Sequence, residues 1–164
     1  MTKMAFTTIE IEKEIPVYGL SGKSNDKTQA KDIPALAKKY YEAAGKNSGE
    51  VIPFFVISKE YDETTRDFQL FIGGLIENKA LEAFVIPRGT YGKVTIKPKL
   101  GFLWGLSIGA AKRAFYTQWL PKSKYTALNL EYEYHAGISK GKNPQMELLF
   151  GVRMAQIEEA QGEA

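Results

Sequence analysis

Leu128-Asn129-Leu130-Glu131-Tyr132-Glu133-Tyr134-His135-Ala136 is the stretch on which the reading of this chain turns. It alternates as a β-strand does, so Asn129, Glu131, Glu133 and His135 share one face while Leu128, Leu130, Tyr132 and Tyr134 share the other. Carboxylates two residues apart on a strand point the same way, roughly 7 Å from one another. On a solvent face such a pair needs no explanation. In a cavity walled by aromatic rings, a desolvated carboxylate is a receptor for a cation or a general base. The strand pattern alone leaves both readings open.

Working outward, Gln145 to Met154 reads as a further strand, reached through the Gly- and Lys-rich loop 137–143. Upstream, a helix is predicted from Phe102 to Leu120, with Trp104, Ile108, Ala111, Phe115 and Trp119 along one stripe and Pro121 ending it. Before that come strands Glu82 to Ile86 and Thr90 to Ile96 about the turn Pro87-Arg88-Gly89. This half reads strand, helix, strand, strand. The first half reads the same way. A strand with a Pro-marked irregularity covers Phe6 to Ser24, and a helix follows with Asp32 as N-cap, Pro34 in the first turn and Gly45 as its stop. Strands Pro53 to Tyr61 and Phe68 to Ile76 then suit a hairpin.

The halves echo each other in residues as well. Ile15-Pro16 answers Ile86-Pro87, Ala37-Lys38-Lys39-Tyr40-Tyr41 answers Ala111-Lys112-Arg113-Ala114-Phe115, and the stretch from Phe68 to Gly73 answers that from Met146 to Gly151. These matches predict an α+β fold of two strand-helix-strand-strand modules, about 6–76 and about 81–154, related by a pseudo-two-fold axis around a central cleft. Clefts between modules are common ligand sites. The whole of 1–154 is expected to be one domain, and 155–164 a flexible tail.

Composition narrows the chemistry. With 22 basic and 19 acidic residues the formal charge is +3, and the positive charges are scattered, which does not favour nucleic-acid binding. The chain has no cysteine, which excludes disulfides, thiolate zinc sites and a cysteine nucleophile, and a single histidine makes a histidine metal centre improbable. No cofactor is expected. The N-terminal stretch lacks an apolar signal region, and the longest near-apolar run, Gly101 to Ala111, falls short of the roughly 20 residues a membrane helix needs. The expectation is a cytoplasmic protein.

Two motif matches are incomplete. Gly22-Lys23-Ser24 ends like a phosphate-binding loop but has Val17 where the pattern needs glycine. Gly105-Leu106-Ser107-Ile108-Gly109 matches a nucleophile elbow, yet it lies within a helical stripe. No aspartate follows it, and Glu131 and His135 stand roughly 13 Å apart along a strand. Lys112 and Arg113 read as a solvated helix face. The acidic pair, with Trp104, Phe71 and Tyr91 as flat apolar walls, is the constellation that stands out.

Ile86-Pro87-Arg88-Gly89-Thr90-Tyr91, the run Trp119-Leu120-Pro121-Lys122-Ser123 after the second helix, and Leu130-Glu131 resemble the GyrI-like family. This family comprises small-molecule-binding domains also found as effector-binding domains of AraC-type and BmrR-type transcription regulators. The resemblance spans nearly the whole chain. It implies an aromatic-lined cleft whose glutamate attracts cationic or amphipathic drug-like compounds, and by motif position that glutamate is Glu131. Glu133 falls where the family often has an apolar residue, so the register stays open by two residues. The implied protein is a stand-alone module that binds a small hydrophobic or cationic organic ligand, with Tyr91, Trp104 and Phe71 enclosing it. No nucleic-acid or membrane partner is expected, and a homodimer remains open. Some members of the family are similar hydrolases that open the cyclopropane of alkylating natural products, which would make Glu131 a general base. Others inhibit gyrase by protein contact.

Overall fold

A computed structural model describes residues 4–46, 53–98, 104–136 and 144–155. The predicted loop 137–143, the start of the second helix at Phe102 and all but the first residue of the predicted tail 155–164 lie outside the described residues. Eight strands form one antiparallel sheet: β1 (Thr7–Ile11), β2 (Ile15–Asn25), β3 (Phe54–Lys59), β4 (Asp67–Gly74), β5 (Glu82–Ile86), β6 (Gly89–Ile96), β7 (Tyr125–His135) and β8 (Met146–Met154). Their order across the sheet is β1-β6-β8-β7-β3-β4-β2-β5. Helix α1 (Gln29–Ala43) packs on β2 and β4, and helix α2 (Trp104–Ala114) packs on β6. The fold is α+β, as the element order predicts. The order β6-β8-β7 on one side of the sheet's centre is answered by β2-β4-β3 on the other.

Chain connectivity forces the sheet to curl. Only Pro87 and Arg88 join β5 to β6, a link that reaches about 11 Å at full extension. Those strands are six places apart in the sheet, about 29 Å if it were flat. The ends must therefore approach one another, and the residues predicted to form a local turn instead carry the chain across the mouth of a half-barrel. Gly89 sits here at φ +144°, a conformation that L side chains rarely adopt, and the Tyr91 hydroxyl donates to Pro87 O at 2.6 Å, tying the link to β6. Opposite, Gly19 and Gly73 face each other across β2 and β4. A Cβ at Gly19 would stand 1.9 Å from Ile72 O, so the backbones approach as only glycine permits.

The curl buries an inner core on the face away from the helices. Val17, Phe55, Ile57, Phe71, Tyr91 and Tyr132 pack there, with Ile9 and Ile11 of β1 and Phe84 of β5 against them. Strands from both ends of the sheet thus share one cluster. The outer face carries two separate cores, one under each helix. Tyr40 of α1 packs on the β3/β4 residues Val56, Leu70 and Ile72, while Ala111 of α2 and Phe115 after it pack on Leu148 and Phe150.

Both helices differ in detail from their sequence pattern. α1 starts earlier, with Thr28 in the cap position and Asp32 in the first turn. Asp32 accepts from the Thr28 hydroxyl at 2.6 Å and the Ser24 hydroxyl at 2.8 Å, so it fastens the helix start to β2 rather than capping the helix itself. Pro34 consequently lies inside the helix. Gly45, at φ +72°, does close it, with its N–H donating to Glu42 O. Pro121 does not end the second helix, which passes through a π-helical turn (Phe115–Trp119) and a last turn (Leu120–Lys122). Gly22-Lys23-Ser24 belongs to β2, and Gly105 to Gly109 belongs to α2, so neither forms the loop its motif requires.

Candidate functional site: the acidic strip between the helices

The register defines which residues share the helix side of the sheet. One row across the outer face runs Gly22, Leu70, Ser58, Glu131, Phe150, Gly92. The next runs Leu20, Ile72, Val56, Glu133, Leu148, Val94. Directly opposed residues point to the same face, so each row is a cross-section of the helix side. At the row ends the glycines admit the helices, Gly22 beneath Leu36 of α1 and Gly92 beneath Phe115 of the π-helical turn that follows α2. Glu131 and Glu133 lie on β7, one of the two middle strands, between the two helix footprints. This position accounts for carboxylates in rows whose other members, Ser58 and the glycines apart, are apolar.

Glu131 is held at both oxygens. Lys112 of α2 places its ammonium 2.5 Å from Oε1, and the Tyr116 hydroxyl donates to Oε2 at 2.8 Å. The Glu131 side chain is 14 % exposed and that of Lys112 26 %. Burial alone would push the Lys112 ammonium down, but the charge of Glu131, then of Glu133, with the Glu131 hydrogen bond and the charge of Asp26, outweighs it. The lysine pKa is raised above its ordinary value. Burial, followed by the Glu131 charge and hydrogen bond, pushes the Tyr116 phenol far up, so it stays a donor. Tyr116 belongs to the π-helical turn, a distortion often found at functional sites, and it packs edge-on against Phe150 at 5.5 Å.

Glu133 continues the strip toward the far end of β7. Its Oε1 lies 3.0 Å from His135 Nε2. The His135 ring stacks parallel to Phe54 at 4.5 Å, and Trp104 meets it edge-on at 5.9 Å. On the α1 side, Asp26 accepts from the Tyr61 hydroxyl at 2.6 Å. Asn129, expected to share the acidic face, leaves the pattern. It sits at φ +59° in a bulge of β7 between Ala127 and Glu131, where its side-chain amide exchanges hydrogen bonds with the Tyr61 backbone at 2.8 and 3.0 Å. Asparagine tolerates this left-handed backbone better than most residues.

Of the five residues singled out from sequence, the structure brings Glu131, Glu133 and Trp104 to one face. Tyr91 and Phe71 lie on the other. Tyr91 is fully buried in the inner core, edge-on to Tyr132 at 5.8 Å, with its phenol pushed up by burial to about 12. Phe71 packs on Phe84 at 5.9 Å in the same core. Neither can wall the Glu131 carboxylate, because the sheet stands between. Lys112 and Tyr116 were not among the candidates, and Lys112, read as part of a solvated face, instead reaches inward to the strip. Their spacing of four residues on one helix was the available signal. Two surface grooves, about 470 Å³ beside Glu12, Lys13, Glu14 and Arg88 and about 340 Å³ beside Lys59, Phe71, Glu82 and Phe84, lie away from the strip.

The arrangement is a charged, partly desolvated floor with aromatic flanks. Three carboxylates, Glu131, Glu133 and Asp26, act on one ammonium, Lys112. Such a floor favours positive charge.

No family model matches the chain, and no curated protein matches it in sequence. Solved structures do match in shape. An integron cassette protein from the mobile metagenome of Vibrio cholerae is 16% identical, with 90% of this chain and 95% of that one covered at a TM-score of 0.64. SAV2435, solved with tetraphenylphosphonium, is 11% identical, with 92% and 94% covered at a TM-score of 0.64. The EcmrR C-terminal domain is 19% identical, with 94% and 100% covered at a TM-score of 0.57. Identities this low show the fold alone, and that fold is the one this chain shares with these three proteins, the C-terminal domain of EcmrR among them.

Proposed function

We propose that the chain is a small-molecule-binding domain whose site is the acidic strip between α1 and α2, and that it takes amphipathic organic compounds, cationic or polycyclic. The observation that carries this reading is the partly buried pair Glu131 and Glu133 in the gap between two helices, beside Trp104, Tyr116 and Phe54. A carboxylate removed from water gains from a cation that needs little hydration, and flat rings supply the matching apolar surface. That SAV2435 was solved with tetraphenylphosphonium supports the same ligand class for a chain of this fold. Fluorescence titration with a lipophilic cationic dye such as rhodamine 6G tests the reading. Glu131→Gln should weaken binding by about tenfold or more; unchanged affinity would sink the assignment.

A further inference from the structure

Glu131 is already occupied. Its two oxygens accept from two groups of this same chain, Lys112 at 2.5 Å and Tyr116 at 2.8 Å, both carried by the helical segment that borders the strip. Lys112 and Tyr116 stand four residues apart, so one helical face delivers both donors to one carboxylate. The Lys112 side chain is long, 26 % exposed and held at its tip by the ion pair with Glu131, so its ammonium can leave without unfolding the helix.

We infer that Lys112 is a specificity-determining residue, an internal cation that fills the Glu131 position and that an organic cation must displace before it can use that charge. The inference rests on the binding site proposed above. An apparent affinity falls by the fraction of molecules whose site is free, so a seated lysine weakens every cation that competes for Glu131. The handicap is largest for permanent cations without N–H groups. A phosphonium or quaternary ammonium offers Glu131 charge but no hydrogen bond, whereas the departing lysine offered both. A neutral ligand bound against Trp104, Phe54 and Tyr116 does not compete for the charge and is indifferent to the lysine.

Isothermal titration of wild type, Lys112→Met and Lys112→Arg with tetraphenylphosphonium, beside a fluorescence titration with the neutral probe Nile red, tests this. Methionine keeps the apolar stem without the charge, and should bind the phosphonium about tenfold more tightly than wild type while Nile red affinity stays within about twofold. Arginine restores the seated cation and should bring phosphonium affinity back to the wild-type level, which also guards against a methionine variant that fails to fold. Equal phosphonium affinity in wild type and Lys112→Met, or equal gains in both variants, overturns the inference while leaving the binding site standing. If no variant binds either probe, both the site and the role of Lys112 fall.

Discussion

Among individual residues, Asp32 shows how a local hydrogen-bond set couples helix to sheet. The Thr28 hydroxyl first, and the Ser24 hydroxyl second, hold its carboxyl below the ordinary aspartate value of 3.8. A depressed folded-state value contributes stability that is complete above pH 3.8 and is lost as pH falls through the lower folded value. Asp32→Asn should therefore lower the melting temperature at pH 7 and flatten the loss of stability below about pH 4; thermal melts across an acid series read both effects. Sequence placed Asp32 at the helix start but misassigned its work, because a capping residue and a residue reaching back from the first turn share one composition signal. Lys112 illustrates the opposite limit. A lysine on an amphipathic helix usually marks the wet face, and only the neighbouring strand shows that this one is turned inward to Glu131.

Secondary-structure elements were the most legible level. β3, β4, β5, β6 and β8 lie where alternation and turn residues predict them, because a half-buried strand writes its two faces into the sequence. The second helix was legible in its stripe and misread at its end. Trp104, Ile108, Ala111, Phe115 and Trp119 do gather in the core under α2, yet Pro121 is carried within the helical segment beyond the π-helical turn. Phe115 is the anchor of that segment, fully buried, parallel to Phe150 at 3.8 Å and close over Gly92. Phe115→Ala should cost about 3–5 kcal/mol, measured by urea unfolding. Because Tyr116 follows directly, the same change should weaken dye binding as well as stability, whereas a variant elsewhere in the core should affect stability alone.

For the molecule as a whole, the decisive property is the curl, which no strand pattern records. Alternation tells which residues share a face of one strand, but not which face meets helices and which closes on itself. Tyr91 and Phe71 were placed with Glu131 for that reason, and the half-barrel puts them in its inner core instead. The close approach of β2 and β4 depends on the Gly19–Gly73 pair, so Gly19→Ala, whose Cβ would stand 1.9 Å from Ile72 O, should prevent cooperative folding. Loss of the near-ultraviolet dichroism of packed aromatics would report it, and a native-like spectrum would contradict this role for the close approach. Among the described residues, curl and helices together leave an outward strip where Glu131 and Glu133 both act on the Lys112 ammonium. The central claim is that this strip selects positive charge on an aromatic ligand. The most direct test is a calorimetric comparison of tetraphenylphosphonium with tetraphenylborate, ions of similar size and shape and opposite charge, on the wild-type protein and on Glu131→Gln. The wild type should bind the cation in preference to the anion, and the preference should shrink in Glu131→Gln. Equal affinity for the two ions, or a preference unchanged by the substitution, would contradict it.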